Sequence, residues 1–362
     1  MSPWRLPSCI PSLTRKARRD ERRLVALVVL VACALATASC TASGSAHTTT
    51  SIVTSTTLSS TSSTTTTTLP VAVAGTPLLR ARVAPLAPGA AVLTPVTPGS
   101  TAWSRMVPIA FQSFGSGPDL LLIEGQDATV SWWYPLLLSD LARHYRVTVF
   151  DLPGVGYSGH PTGPLALDWL ADMTAGFSLT IGQSDPVVVG WGLGGEIALA
   201  LAERHPRVAS SLVLVDTSCG GPEATPPGAA VTRLLALPGA TPEALSTLLF
   251  PATASGLLER LIWWKSLFAG TTDWMTAGAI AAEASLQATI WTSRALVDGL
   301  SRVTVPVLVV SGDDDIVFPP ENAHLLADGL RHATLEIFPG SGYGALIQDE
   351  AEFVQAVESF TG

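Results

Sequence analysis

The chain has 362 residues, of which 47% are hydrophobic, and a formal net charge of −9. The charge is unevenly distributed, because seven of the 20 basic residues precede Leu24, whereas only two of the 29 acidic residues do. The remaining 13 basic and 27 acidic residues give a net charge of −14. Nucleic-acid binding needs a basic surface, so this composition excludes a nucleic-acid partner.

The first 40 residues have the pattern of a signal peptide. Arginines precede residue 24, residues 24–36 are apolar or small, and Cys40 follows this run. A membrane-spanning helix needs about 20 apolar residues, so the shorter run predicts export rather than a permanent span. Cys40 resembles the lipid-modified cysteine that ends a bacterial lipobox, and Cys33 is an alternative modification site. Lipid modification would hold the protein on the outer face of the bacterial cytoplasmic membrane, whereas ordinary cleavage would secrete it.

Residues 41–98 are first rich in Thr and Ser and then in Pro and Ala. Such a composition cannot bury enough apolar surface to offset the entropy that is lost on ordering. We therefore expect a disordered tether that precedes a folded domain, residues 99–362. Of the four cysteines only Cys219 lies in that domain, so no disulfide is possible within it.

Short apolar runs alternate with amphipathic stretches through the predicted domain. The runs predict strands at residues 120–123, 147–150, 187–189, 212–215, 307–310 and 335–338. Continuous apolar runs of this length are typical of parallel strands that are covered on both faces. The intervening stretches predict helices at residues 132–144, 165–181 and 196–205. This alternation predicts an α/β fold with a doubly wound, mostly parallel sheet.

One interval, residues 217–302, interrupts the alternation because it contains no convincing strand. Its helix-like segments are separated by prolines, which predicts a helical cap inserted between two strands. Such a cap would lie over the carboxyl ends of the strands, where ligands bind in α/β sheets. The cap tryptophans either line an apolar ligand cavity or pack the cap onto the core; they are Trp263, Trp264, Trp274 and Trp291.

Five motifs follow one another along the predicted domain. They are G-x-G-P-x at 115–119, D-x-x-G-x-G-x-S at 151–158, a strand–turn–helix pattern G-x-G-x-G at 190–194, G-x-x-D-x-x-x-P at 312–319, and P-G-x-G-Y at 339–343. In this order and spacing they resemble the α/β-hydrolase superfamily, especially its capped lactonase, haloperoxidase and esterase-like members. That family has G-x-S-x-G at the third motif and P-G-x-G-H at the fifth.

The resemblance places the catalytic-triad positions at Gly192, Asp315 and Tyr343, so only the acid is retained. Glycine has no side chain that attacks a substrate, and tyrosine, with an ordinary pKa near 10, does not relay protons at neutral pH as histidine does. Without a histidine to orient, Asp315 is expected to be a loop carboxylate that accepts backbone hydrogen bonds. The resemblance assigns the two oxyanion-hole amides to Gln126 and Leu193.

Glu124 stands where the family has a histidine at the end of the first central strand. Its carboxylate has two alternative orientations. It either faces a developing oxyanion, at a cost of roughly 4 kcal/mol at a separation of ~4 Å and an effective dielectric near ~20, or it points away to a backbone amide.

The remaining candidate residues do not form a second catalytic set. His160 could face the cleft, and Cys219 is expected at the cleft rim without a histidine to activate its thiol. The other histidines of the domain are expected to be solvated in or beside surface helices; they are His144, His205, His324 and His332. We expect no metal and no cofactor.

Residues 190–195 also match G-x-G-x-x-G, and Asp216 follows about 20 residues later. This is the dinucleotide-binding fingerprint, in which the acid binds a ribose hydroxyl. That fingerprint usually belongs to the first strand–helix–strand unit, whereas two predicted strands precede it here. The chain order therefore favours the hydrolase-like interpretation.

Three functional hypotheses follow. The favoured one is an exported, non-catalytic hydrolase-like protein that binds a small apolar molecule or a protein partner and meets the membrane only through its N-terminal lipid. The second is an active hydrolase of unorthodox mechanism, in which a serine such as Ser158 would have to serve as nucleophile. The third, a dinucleotide-binding protein, is the weakest.

Overall fold

An eight-stranded sheet is the centre of the computed structural model, which describes residues 76–90, 106–267 and 275–362. All of these residues lie within the compact unit Thr67–Gly362. The signal peptide, Cys33, Cys40 and most of the predicted tether fall outside the described residues. The strands are β1 Leu79–Val83, β2 Val107–Gly115, β3 Asp119–Ile123, β4 Arg146–Phe150, β5 Val187–Trp191, β6 Ser211–Val215, β7 Val307–Gly312 and β8 Ala333–Phe338.

The strand order is β1-β2-β4-β3-β5-β6-β7-β8. Strands β3 to β8 pair in parallel, and β1 and β2 are antiparallel additions at one edge. Alternate side chains of β6 enter different cores, Leu212 and Leu214 on one face and Val213 and Val215 on the other. Burial on both faces explains why the central strands are continuous apolar runs. The doubly wound, mostly parallel sheet predicted from the sequence is therefore confirmed.

Strand β1 lies inside the stretch that was predicted to be a disordered tether. It pairs with β2 over its whole length, and Val83 at its end is fully buried. Pairing with an existing sheet edge orders a short segment whose composition alone is unfavourable, because the partner strand supplies the hydrogen bonds. The prediction of disorder over 41–98 is therefore wrong for Leu79–Val83.

The helices cover both faces of the sheet. They are α1 Pro135–Leu141, α2 Leu167–Thr180, α3 Leu193–Arg204, α4 Ala229–Leu235, α5 Pro242–Leu245, α6 Ala254–Leu267, α7 Ala277–Thr292, α8 Ala295–Gly299, α9 Glu321–Gly329, α10 Ala345–Gln348 and α11 Glu350–Thr361. Short 3-10 turns lie at Val130–Trp132, Ser246–Leu248 and Leu300–Arg302. None of the helices in the described part of the chain combines the length and the apolar character needed to cross a membrane.

The predicted helical insertion is present between β6 and β7, where the described residues form α4 to α8 and no strand. Its tryptophans contact the core. The Trp263 ring lies 5.4 Å from that of Trp132, and the Trp291 ring lies 5.5 Å from that of Phe318. Trp274 falls outside the described residues. Trp263 and Trp291 therefore pack the cap onto the core.

Helices α2 and α3 are joined by a polar contact that the sequence did not suggest. His205, which caps α3, is buried, and its Nε2 lies 2.7 Å from Asp172 Oδ1. Arg204 Nε donates to the same oxygen at 2.8 Å. The prediction that His205 is solvated is wrong, because the end of α3 packs against α2 where a carboxylate meets the ring.

Candidate functional site

The turn between β5 and α3 lies where the resemblance places the nucleophile position. Gly192, its central residue, has φ +55° and ψ −119°, a conformation that is costly for any residue with a Cβ atom. The Gly192 amide donates to Val215 O at 3.0 Å, and its carbonyl accepts from Thr217 Oγ1 at 2.6 Å. These bonds hold the turn against the end of β6, so the strand–turn–helix arrangement is retained around a glycine.

The Tyr343 hydroxyl fills the space beside this turn. A Cβ atom added at Gly192 would overlap Tyr343 Oη, and one added at Gly125 would lie 2.6 Å from the same oxygen. The hydroxyl is enclosed on two sides, and no described residue forms a hydrogen bond with it. The phenol therefore occupies the volume that a serine side chain at position 192 would need.

Two contacts fix Tyr343 in this position. Its ring stacks on Trp191, with 5.0 Å between centroids and 29° between planes, and Trp191 Nε1 donates to the Tyr343 carbonyl at 2.8 Å. The Phe318 ring lies 5.8 Å away on another side. Burial, and then the nearby Asp315 carboxyl, raise the pKa of the Tyr343 phenol well above its ordinary value of 10. A phenol that stays protonated does not accept a proton as a base.

Asp315 follows β7, where the resemblance places the acid. Its Oδ1 accepts the backbone amides of Val317 at 2.7 Å and Phe318 at 3.0 Å. Burial raises the pKa of this carboxyl to about 8. The side chain fixes the turn after β7 and is mostly protonated at neutral pH.

The oxyanion-hole positions lie at the same edge of the sheet. The start of α3 approaches the end of β3 so closely that a Cβ atom at Gly194 would overlap the Ile123 carbonyl. Leu193 is the first residue of α3, and Gln126 follows β3 by three positions, its Nε2 donating to Leu235 O in the cap at 3.4 Å. The structure therefore brings the turns that carry both amides to one edge of the sheet.

The Glu124 carboxyl points away to a backbone amide, which is one of the two orientations predicted for it. Its Oε1 accepts the backbone amide of Leu152 at 2.8 Å. Burial, together with the neighbouring Asp151, raises the pKa of Glu124 well above 4.5. The carboxyl holds the loop after β4 and favours its neutral form.

Three further buried carboxyls lie where the cap meets the core, and the sequence did not suggest them as a group. The Asp127 amide donates to Glu283 Oε2 at 2.8 Å, and Gln287 Nε2 donates to Glu196 Oε1 at 3.0 Å. Burial raises the pKa of Asp127 and of Glu196 to about 8, and burial with the adjacent Asp127 raises that of Glu283. The sequence signal for Glu196 and Glu283 is a single acid within a run of small or apolar residues.

The nucleophiles of the alternative hypothesis are engaged in structural bonds or held neutral. Ser158 Oγ donates to Asp151 O at 2.7 Å and accepts the Ala110 amide at 2.9 Å. Cys219 is completely buried rather than at the cleft rim, and burial raises the pKa of its thiol to about 12. Neither side chain is placed to attack a substrate.

Asp216, the acid of the dinucleotide fingerprint, is also a structural residue. It is completely buried, and its two carboxylate oxygens accept the amides of Gly312 at 2.9 Å and Ala345 at 3.2 Å. A ribose hydroxyl would have to displace both bonds. The structure therefore gives the fingerprint no acid with which to bind a nucleotide.

A pocket of about 210 Å³ lies between the loop after β4 and helix α7 of the cap. Its walls are mainly apolar or small and include Pro153, Val155, Pro161, Leu165, Ala279 and Ala282. His160, Thr276 and Glu283 supply its polar side chains. His160 thus faces the space between cap and core, while Glu283 links that space to the Asp127 turn.

Comparison with known proteins gives relatives that match about 70% of the chain. The chain is 29% identical over 269 residues to an uncharacterized protein of Mycobacterium tuberculosis (strain ATCC 25618 / H37Rv), covering 69% of this chain and 77% of that protein. It is 26% identical over 271 residues to the pimeloyl-[acyl-carrier protein] methyl ester esterase of Nitrosomonas europaea, covering 70% of this chain and all of that protein.

Solved structures give the same fold. A thermophilic esterase from Thermogutta terrifontis superposes with a TM-score of 0.60 at 22% identity, over 78% of this chain and 98% of the esterase. The enol-lactonase of Burkholderia xenovorans LB400 gives a TM-score of 0.59 at 22% identity, over 70% of this chain and 96% of the lactonase. The family model for the alpha/beta hydrolase fold matches residues 120–350, more than half of the chain. The chain belongs to the α/β-hydrolase fold family.

Proposed function

We propose that this protein is a non-catalytic member of its family that binds a small apolar molecule. The observation that carries this proposal is the pair formed by Gly192 and Tyr343. Position 192 offers no attacking atom, and the Tyr343 hydroxyl fills the space where such an atom would act. Asp315, held by backbone amides, has no imidazole to orient.

The pocket between the β4 loop and α7 is the proposed ligand site. Its apolar walls suit a small apolar molecule, and its volume limits that molecule to a small one. Glu283 and His160 would orient a single polar group on it. Methyl hexanoate is a suitable probe, with binding followed by saturation-transfer NMR.

Filling the pocket tests this assignment. Ala282→Trp should abolish the methyl hexanoate signal, because the indole would occupy the pocket that Ala282 lines. Ala281→Trp is the matched control, since Ala281 is exposed on the same helix. Equal loss in both variants, or equal retention in both, would contradict the pocket assignment.

Restoration of the triad tests the loss of catalysis. The unmodified chain is expected not to hydrolyse short p-nitrophenyl esters. The double variant Gly192→Ser with Tyr343→His should gain measurable hydrolysis, because it supplies the nucleophile and the base and removes the phenol that fills their space. Hydrolysis by the unmodified chain that Ser158→Ala abolishes would refute the proposal.

The single variants are the controls for this experiment. Gly192→Ser alone keeps the obstructing phenol, and Tyr343→His alone lacks a nucleophile, so neither should be active. A folded but inactive double variant would show that the site differs from an active one in more than these two residues.

The chain is further proposed to be exported and held on the outer face of a membrane by a lipid on Cys40. The apolar run at 24–36 and the cysteine after it support this location. In a bacterial host, labelled palmitate should enter the unmodified chain and the Cys33→Ala variant but not Cys40→Ala. Label retained in Cys40→Ala would exclude Cys40 as the anchor.

A further inference from the structure

Helix α6 of the cap is apolar on the face that it turns to solvent. Four of the eight exposed large hydrophobic residues in the described part of the chain belong to this one helix: Leu257, Leu258, Leu261 and Ile262, each between 41% and 53% exposed. They recur at positions one and four residues apart and so form one continuous stripe. The helix buries the opposite side, through Gly256, Trp263 and Leu267.

The stripe extends onto a neighbouring element. Leu136, at the start of α1, is 46% exposed and lines a depression with Ile262, whose wall also carries the acids Glu259, Glu350 and Glu352. On the other side of the helix, Leu257 and Leu261 line a second depression with Trp264 and Arg260. An apolar surface of this kind marks a contact with another molecule or with lipid, because apolar side chains that remain exposed to water are unfavourable.

We propose that the outer face of α6 docks on a lipid bilayer. This inference rests on the membrane anchoring proposed above. The proposed lipid on Cys40 lies 36 residues before Thr76, where the described chain begins, so the two are at most ~130 Å apart along the chain. This covalent link keeps the domain within that distance of the bilayer. Because the anchor raises the effective concentration of lipid near the domain, a small apolar stripe is enough for α6 to dock on the bilayer.

Two residues beside the stripe, Lys265 and Trp264, are of the types found on interfacial helices. Lys265 is exposed on the same face, one turn beyond Leu261, and its long side chain would extend from the apolar boundary to the headgroups. Tryptophan, here Trp264 beside the stripe, is enriched at this depth in membrane proteins. The net charge of −14 outside the leader disfavours attraction to anionic lipid, so apolar contact must dominate the docking.

Amide hydrogen exchange on the full chain tests the proposal, with vesicles of phosphatidylethanolamine and phosphatidylglycerol present in large excess. Peptides covering Ala254–Leu267 should exchange several-fold more slowly with vesicles, whereas peptides from Glu321–Gly329 should not change. The triple variant Leu257→Gln, Leu261→Gln, Ile262→Gln should lose this protection. The control triple Leu79→Gln, Leu237→Gln, Ile316→Gln, also at exposed apolar positions, should keep it.

Two further outcomes separate this proposal from the anchoring on which it rests. The Cys40→Ala chain should still show protection of α6, but only at a higher lipid concentration than the unmodified chain. If both chains needed the same lipid concentration, the lipid anchor on Cys40 would be refuted, whereas the docking of α6 would not. Unprotected α6 peptides in both chains at saturating lipid would overturn the docking. Protection that is present without vesicles would also overturn it, since a second copy or another part of this chain would then cover the stripe.

Discussion

At the scale of single residues, positions 192 and 343 are sterically coupled. The Gly192 turn has no room for a Cβ atom while the Tyr343 hydroxyl is in place, and the hydroxyl would clash with any larger residue at 192. Each residue therefore restricts what the other position accepts. A change from the family pattern at one site becomes difficult to reverse without a change at the other.

This coupling predicts the stability of the single and double variants. Gly192→Ser should lower the free energy of unfolding by roughly 1–3 kcal/mol, because it overpacks a buried site. Adding Tyr343→His should recover much of this loss, since the smaller ring frees the space. Urea unfolding followed by circular dichroism measures both. Additive losses in the double variant would contradict the coupling.

The Tyr343 hydroxyl makes no hydrogen bond with the described residues, so its removal should not destabilise the fold. Tyr343→Phe is expected to leave the unfolding free energy unchanged or to raise it by about 1 kcal/mol. Tyr145→Phe is the matched control, because the Tyr145 hydroxyl lies 2.5 Å from Thr361 Oγ1, and its loss should destabilise by about 1 kcal/mol. A clear destabilisation by Tyr343→Phe would mean that the hydroxyl has a partner.

At the scale of elements, helix α7 is attached to the core by buried polar bonds as well as by apolar packing. Glu283 accepts the Asp127 amide, and Gln287 donates to Glu196 in α3. Both contacts join the cap to the edge of the sheet where the resemblance places the oxyanion hole. The position of the cap is thus linked to the backbone of that edge.

Substitution of Glu283 tests this attachment. Glu283→Leu leaves the buried Asp127 amide without an acceptor and should destabilise the domain by about 1–3 kcal/mol. Glu283→Gln retains an acceptor oxygen and should lose much less. Thermal unfolding compares the two variants, and equal losses would show that packing, not the hydrogen bond, holds α7.

The elements also show how far the sequence predicts this molecule. The six central strands and the strandless cap follow from apolar runs and from their interruption, since burial on both faces leaves a clear pattern. Both antiparallel strands are missed. β1 is ordered by pairing with β2 rather than by its own composition, and β2 contains Pro108, Gln112 and Ser113 instead of a continuous apolar run. His205 is misplaced because only the packing of α3 on α2 brings it to Asp172.

Some features of the candidate site can also be predicted from the sequence, and others cannot. The motifs predict the positions of Gly192, Asp315 and Tyr343 along the chain, because their spacing reflects the strand order. The orientation of Tyr343 over the Gly192 turn cannot be predicted from spacing, since it depends on a stack with Trp191 and on the room beside Gly125. The association of Glu283 with Asp127 depends on where the cap lies, which the sequence leaves open.

At the scale of the whole molecule, buried carboxyls make folding sensitive to pH. The pKa values of Asp127, Glu196 and Asp315 are about 8 in the folded chain, whereas ordinary carboxyls titrate near ~4. Between these values the folded state holds protons that the unfolded state releases. The free energy of unfolding is therefore greatest at acidic pH and falls as the pH rises from about 4 to about 8.

Urea unfolding at about pH 5 and about pH 8 should thus give a higher midpoint at the lower pH. Glu196→Gln removes one of these protons and keeps an acceptor for Ser218 and Gln287, so it should reduce the difference between the two midpoints. Stability that is constant or rises over this range would contradict the burial of neutral carboxyls.

The same carboxyls change what the acidic composition means. Seven acids have raised pKa values inside the fold: Glu124, Asp127, Glu196, Asp216, Glu283, Asp315 and Glu350. The three whose pKa is about 8, Asp127, Glu196 and Asp315, are mostly protonated at neutral pH, so the native domain carries less negative charge than its residue count implies. Unfolding ionises them and adds negative charge with no covalent change, so native and unfolded forms of one polypeptide should separate by electrophoretic charge as well as by size.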